Sequence, residues 1–172
     1  MKTLSTAVDL QLHWVQPTML MRHFKLYSEN GLIGELLFKK ASTAYGTWTG
    51  GGSGTEGWMI KGGGLLKRGV TLRESGAKDD LAVFRSNLQG EGWLEFFKGS
   101  RFYWKSRNFW RTEWGFSNVQ EELLFVMKSQ PWYRLKIESA VEIGAQWQDL
   151  DELPLLMMLG WYLRVQNFYA GW

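Results

Sequence analysis

The segment Leu153-Pro-Leu-Leu-Met-Met-Leu-Gly-Trp-Tyr-Leu163 constrains the fold more than any other part of the chain. It runs for 11 residues without a charge, fenced by Asp149, Asp151 and Glu152 on one side and Arg164 on the other. The aspartates can cap a helix and Pro154 is tolerated in a first turn, so the spacing predicts a helix over about 151–168. Wound as a helix, the segment is apolar on every face, and such a helix must be enclosed by protein or by lipid. A bilayer requires about 20 apolar residues, whereas a run of 10–14 reads as a buried core helix. The enclosure therefore has to come from the rest of the chain.

Most of that remainder reads as strands. Met19 to Tyr27 and Leu32 to Lys40 flank Ser28-Glu-Asn-Gly31, whose Asn-Gly pair is a hairpin signal. Ala44 to Thr49, Trp58 to Lys61, Leu65 to Glu74 and Leu81 to Arg85 continue the pattern. Alternation is clean from Gly92 onward. Leu94 and Phe96 share one face; Phe102 and Trp104 oppose Arg101, Tyr103, Lys105 and Arg107; Trp110, Thr112, Trp114 and Phe116 form another row. Leu123 to Lys128 and Trp132 to Ile143 complete the series, with Gly144 closing it. Many short strands separated by turn residues indicate a sandwich or a barrel. Enclosing the apolar helix favours an all-β barrel or deep sandwich wrapped around it.

Two stretches carry a resemblance to a known superfamily. The ending Glu152-Leu-Pro-Leu-Leu-Met-Met-Leu-Gly-Trp-Tyr-Leu163 is similar to the central helix of small members of the tubby C-terminal-like group. That group includes the tubby proteins, the phospholipid scramblases and the LURP-one-related proteins. The strand series from Phe24-Lys-Leu-Tyr-Ser-Glu-Asn-Gly31 through Leu81-Ala-Val-Phe-Arg85 to residues 110–116 resembles the same group. The resemblance covers about residues 19–169. It implies a mainly β fold: a closed antiparallel barrel of about twelve strands around one hydrophobic C-terminal helix. Residues 1–16 are expected to form a strand-free arm and residues 17–172 a single barrel domain. Scramblases attach through palmitoylated cysteines and a C-terminal membrane helix. This chain has no cysteine and too short an apolar run, so that anchoring does not carry over. Lipid binding remains a hint at the level of the fold class.

Composition narrows the function classes. Without cysteine there is no zinc ribbon, cysteine nucleophile or disulfide scaffold. The net charge of +3 is unevenly spread: residues 1–111 hold 16 basic and 9 acidic side chains, and residues 112–172 hold 4 and 8. A one-sided basic surface suits phosphate, on nucleic acid or on a lipid headgroup. Residues 1–12 lack the basic start and apolar run of a secretory leader, and absent cysteine fits any compartment; cytoplasm is the default expectation rather than a deduction, with peripheral membrane association as its extension.

No catalytic or cofactor motif stands up to its structural requirements. Gly52-Ser-Gly-Thr-Glu-Gly57 matches G-x-G-x-x-G, but a dinucleotide site needs a helix next, and Trp58-Met-Ile-Lys has no helical period. Thr55 stands where the nucleophile elbow G-x-S-x-G requires glycine. His13 and His23 have no carboxylates at ligand spacing, so no metal and no cofactor is expected. Asp79-Asp80 falls in a turn and Asp149, Asp151 and Glu152 precede a helix, where acids suit the dipole.

The candidate binding site is the stretch 97–111, where Lys98, Arg101, Lys105, Arg107 and Arg111 occur with no acid between them. Alternation places Arg101, Tyr103, Lys105 and Arg107 on one outward row. Such a row could bind anionic headgroups, with Tyr103 at the polar–apolar boundary. It could also grip single-stranded nucleic acid by charge and stacking. Charge rows are more often merely solvated, so this one is a candidate to be tested. A small-ligand carrier or enzyme would need an open barrel mouth, which the helix is expected to fill. The expected activity is therefore non-enzymatic binding or scaffolding.

The tryptophans divide in the same way. Trp104, Trp110, Trp114 and Trp161 are expected between barrel wall and helix. Trp58, Trp93, Trp132 and Trp147 have no clear place, and Trp14 and Trp172 near the ends are candidates for exposure to a partner.

Overall fold

The structure is a computed structural model that describes residues 10–50, 54–63, 69–129 and 136–170. The alternating segments become twelve antiparallel strands: β1 (Leu10–Val15), β2 (His23–Ser28), β3 (Gly31–Lys40), β4 (Thr43–Trp48), β5 (Glu56–Gly62) and β6 (Gly69–Glu74), then β7 (Ala82–Ser86), β8 (Gly92–Phe96), β9 (Arg101–Ser106), β10 (Glu113–Ser117), β11 (Leu123–Ser129) and β12 (Ser139–Ile143). Each pairs with its sequence neighbours, and β1 pairs with β12 to close the barrel. A 3₁₀ turn at Ala145–Trp147 leads into one helix, α1 (Leu153–Ala170).

The closing strand corrects the expected N-terminal arm. Leu10–Val15 sits in register with both β12 and β2, from Leu10 opposite Ile143 to Val15 opposite Lys25. Its inward residues, Leu12 and Trp14, are fully buried because they alternate toward the lumen, so Trp14 is a core residue rather than an exposed one. Gln16 is buried too, and both ends of its amide are used: it donates to the Met21 carbonyl and accepts from the Ile137 amide. Residues 1–9 and Trp172 lie outside the described residues. So do Leu65 to Arg68, Trp132 and Leu135; beyond that gap the last strand covers Ser139–Ile143 only.

Helix α1 lies inside the barrel, and its contacts run around the wall. Trp161 stacks on Trp14 of β1, with centroids 5.5 Å apart and planes 4° from parallel, and meets Phe24 of β2 edge-on. Tyr162 stacks on Phe38 of β3 at 5.4 Å, and its hydroxyl donates to the Ser42 carbonyl at 2.7 Å. Met158 comes so close to β3 and β4 that a Cβ at Gly34 or Gly46 would lie 2.7 or 3.1 Å from its side chain. On the opposite wall, a Cβ at Gly160 would lie 3.0 Å from Met127 of β11 and 3.1 Å from Trp104 of β9. From Leu155 to Leu163 every residue is buried, as an all-round apolar helix requires.

Because the strands form a continuous up-and-down series, alternate connections gather at opposite ends. At the end where α1 starts lie 29–30, 49–55, 75–81, 97–100 and 118–122. At the end where α1 exits lie 16–22, 41–42, 87–91 and 107–112. This division sorts charge. The start-end connections and the approach to α1 carry Glu29, Asp79, Asp80, Glu121, Glu122, Asp149, Asp151 and Glu152 against Lys78 and Lys98. The exit-end connections, with 136–138 leading into β12 at the same end, carry Arg22, Arg107, Arg111 and Lys136 against Glu91 and Glu138, with Lys39 and Lys40 finishing β3 beside them.

Candidate functional site

Strand β9 presents the basic row outward along the barrel, with Phe102 and Trp104 turned into the core. Its two halves differ. At the start end, Lys98 reaches the Glu152 carboxylate at 3.0 Å, and Arg101 donates to Glu95 at 3.0 Å. The bond to Glu95 also raises the Arg101 guanidinium above its ordinary value. The stretch that is free of acid in sequence is therefore not free of acid in space, since Glu95 and Glu152 arrive from β8 and the approach to α1. Tyr103 is half-buried, with the Lys105 ammonium 6.0 Å from its ring centroid. Lys105 and Arg107 are exposed and make no ion pair among the described residues. Glu113 lies across from Arg107, where its carbonyl accepts the Arg107 amide.

Asn108 organises the connection that follows. Its side-chain oxygen accepts the amides of Thr112 at 3.0 Å and Glu113 at 3.2 Å, while its NH₂ donates to the Thr112 hydroxyl at 2.7 Å. An asparagine bonded to the backbone a few residues ahead builds a turn without strand pairing. Asn87 holds the 87–91 connection in the same way, accepting from Gln89 and Glu91. The 107–112 loop lifts Phe109 and Trp110 out of the barrel, with exposures of 88% and 78%. Trp110 is thus a loop-tip residue, not a core one. Arg111 turns left-handed at φ 57°, so the row expected to run from Trp110 to Phe116 begins instead at Glu113.

The same end exposes other large apolar side chains. Met19, Leu20 and Met21 lie on the 16–22 connection and Leu88 on 87–91, and Leu20 is 96% exposed. Tyr169 emerges at the end of α1 with the Arg22 guanidinium 3.7 Å from its ring centroid. Sequence reasoning missed this cluster because Met19 to Met21 looks like the start of a strand, while Leu88 is a single apolar residue in a polar turn.

Trp114 is buried at the base of this end. Its indole donates to the Arg111 carbonyl at 2.8 Å, and it stacks with Trp104 at 5.6 Å. Arg111 and Arg164 place their guanidinium carbons 4.8 and 5.5 Å from the centroid of its ring. Arg164, from α1, is lowered to about 10 by burial and, secondarily, by Arg111.

The remaining candidates are placed elsewhere. Glu56–Gly62 is strand β5, so no helix follows the glycine-rich stretch, of which residues 51–53 lie outside the described residues. Asp80 accepts both Arg73 Nε and Nη2, and His23 Nε2 meets Glu35 at 3.0 Å across β2 and β3. A shallow cleft of about 300 Å³, lined by Val83, Arg85, Glu95, Phe96, Phe97 and Gly99, opens on the outer wall rather than at a barrel mouth. Trp58 is buried in β5, Trp93 is partly exposed on β8, and Trp147 packs against the core. Among the described residues no helix is long and apolar enough to cross a membrane. No family model, curated protein or solved structure matches the chain.

Proposed function

We propose that this protein is a non-enzymatic module that docks peripherally on anionic membrane surfaces through the exit end of its barrel. We further propose kinship with the tubby-like group, supported by the barrel closed around a helix. The observation that carries the docking reading is a coincidence at one end. Arg22, Lys105 and Arg107, none in an ion pair among the described residues, stand beside Leu20, Leu88, Phe109 and Trp110. Apolar loop tips that enter the headgroup region, ringed by cations, combine hydrophobic and electrostatic attraction. Acids concentrated at the far end turn the basic end toward a negative surface. Anionic lipid is concentrated in the cytoplasmic leaflet, so the reading puts the protein in the cytoplasm at a membrane face. Lys98 and Arg101 leave the proposed site, because Glu152 and Glu95 neutralise them.

Sedimentation with neutral and with phosphatidylserine-containing vesicles tests this at low and high salt. Binding to the anionic vesicles alone, weakened by salt, is expected. Arg107→Glu lowers that partitioning about fivefold or more, since each cation near the surface contributes about 1 kcal/mol. Equal binding to both vesicle types, or none to either, contradicts the reading. Exposed Phe109 and Trp110 beside Arg107 also offer stacking surfaces for single-stranded nucleic acid. Salt-sensitive binding of a short oligonucleotide without vesicle binding would select that alternative.

A further inference from the structure

Arg164 is the one charged residue of α1, and it has no carboxylate partner among the described residues. Arg164 is half-buried, and a guanidinium drawn partly out of water ordinarily comes with an acid, because leaving its charge uncompensated is costly. Here Nη2 donates to the Ser129 hydroxyl at 3.1 Å, and Nε is buried with no acceptor. The second charge nearby is another arginine. Arg111 approaches the same Trp114 ring from the 107–112 loop and donates through Nη2 to the Gln89 carbonyl. Its backbone is held at φ 57°, a conformation unfavourable for a residue with a Cβ.

The surrounding acids are engaged elsewhere. Glu91 accepts the Ser106 amide, Glu113 faces Lys128 across β10 and β11, and neither of them nor Glu138, beside Ser139, forms an ion pair with either arginine. Asn167, one turn beyond Arg164, turns its amide to the 87–91 connection, where a Cβ on Gly90 would lie 3.4 Å from Nδ2. Two guanidiniums, a hydroxyl and an amide thus stand together at the exit end, and neither arginine has an ion-pair partner among the described residues.

We propose that Arg164 and Arg111 form a binding site for one phosphomonoester group at the exit end of the barrel. A phosphomonoester is close to a dianion at neutral pH and carries three strong acceptor oxygens, which matches two guanidinium forks better than a singly charged carboxylate or phosphodiester does. The group could belong to a soluble metabolite or to a lipid such as phosphatidic acid. The site therefore goes beyond membrane docking, which requires neither Arg164 nor a particular headgroup.

The test follows the melting temperature of the intact protein against glycerol phosphate, with chloride at equal ionic strength as reference. In parallel, vesicles of phosphatidic acid and of phosphatidylserine are compared at equal surface charge. The wild type is expected to melt higher with rising glycerol phosphate, to prefer phosphatidic acid vesicles, or both; the pattern identifies a soluble or a lipid source. Arg164→Met should abolish the response while leaving the ligand-free protein at least as stable, because an unpaired, half-buried charge has been replaced by an apolar chain. Arg111→Asn, whose new residue suits the left-handed turn, should weaken the response at least tenfold and guards against a folding defect in Arg164→Met. No response in either arm of the wild type, or the same response in both variants, overturns the proposal. Salt-sensitive binding to phosphatidylserine vesicles, measured separately, decides the docking reading whichever way this result falls.

Discussion

Trp14, Trp104 and Trp161 act in this core as volume rather than as polar anchors. The indole N–H groups of Trp14, Trp104 and Trp161 are buried without an acceptor, so these rings contribute through area and stacking. Replacing Trp161 by alanine removes a fully buried ring held between Trp14 and Phe24 and should cost about 3–5 kcal/mol in chemical denaturation. Tyr162 is different, since its hydroxyl is satisfied by the Ser42 carbonyl and burial pushes its pKa up to about 12. Below pH 10 the phenol is protonated in both folded and unfolded chains, and Tyr162→Phe should cost about 1 kcal/mol for the lost hydrogen bond. Between pH 10 and about 12 the unfolded phenol ionises first, so that stabilisation falls as pH rises. Denaturation of wild type and Tyr162→Phe across this window should show the difference shrinking and then reversing; a constant difference contradicts the assignment. Arg164 works in the opposite sense, with destabilisation relieved as pH rises above about 10, so only the comparison with the variant isolates Tyr162. Sequence placed Trp104, Trp114 and Trp161 correctly because alternation and helical enclosure determine which way they point. It misplaced Trp110 because the period-two pattern runs on through Arg111, and only the backbone shows the left-handed turn there.

At the scale of elements, the helix and the strand that closes the barrel were unequally legible. The enclosure of α1 followed from a run that is apolar on every face and too short for a bilayer. Its fit requires small residues at the contacts: Gly160→Ala drives a Cβ against the rigid Trp104 ring and the Met127 methyl. Overpacking of this kind typically costs about 1–3 kcal/mol, against about 1 kcal/mol gained in helix propensity, so a net loss of stability is expected in thermal unfolding. In sequence, strand β1 looks like an arm because Gln11 and His13, its outward residues, interrupt a short apolar series close to the chain end. Its pairing with β12 and β2 makes it the seam of the barrel. Deleting residues 1–16 should open two strand edges and expose the Trp161 ring, giving a species that aggregates and no longer unfolds in one cooperative transition. A truncated chain that stays monomeric with wild-type cooperativity would contradict that role.

At the scale of the whole molecule, charge was legible only in its sum. Dividing the chain into a basic N-terminal part and an acidic C-terminal part missed the arrangement, because an up-and-down barrel sends alternate connections to opposite ends. Glu29 and Glu121 are far apart in sequence yet share the start end, while Arg22 and Arg107 share the exit end. Likewise, Lys98 and Arg101 look free until Glu152 and Glu95 are brought to them. The most exposed apolar side chains, Leu20, Phe109 and Trp110, gather at the basic end by the same topology. Because the chain has no native cysteine, single cysteines can report each end without background. An environment-sensitive fluorophore attached at Leu20→Cys or Leu88→Cys should shift to shorter wavelength on adding phosphatidylserine vesicles, and the same probe at Val119→Cys should not. A shift at Val119 alone, or equal shifts at both ends, would contradict docking through the end where the helix exits.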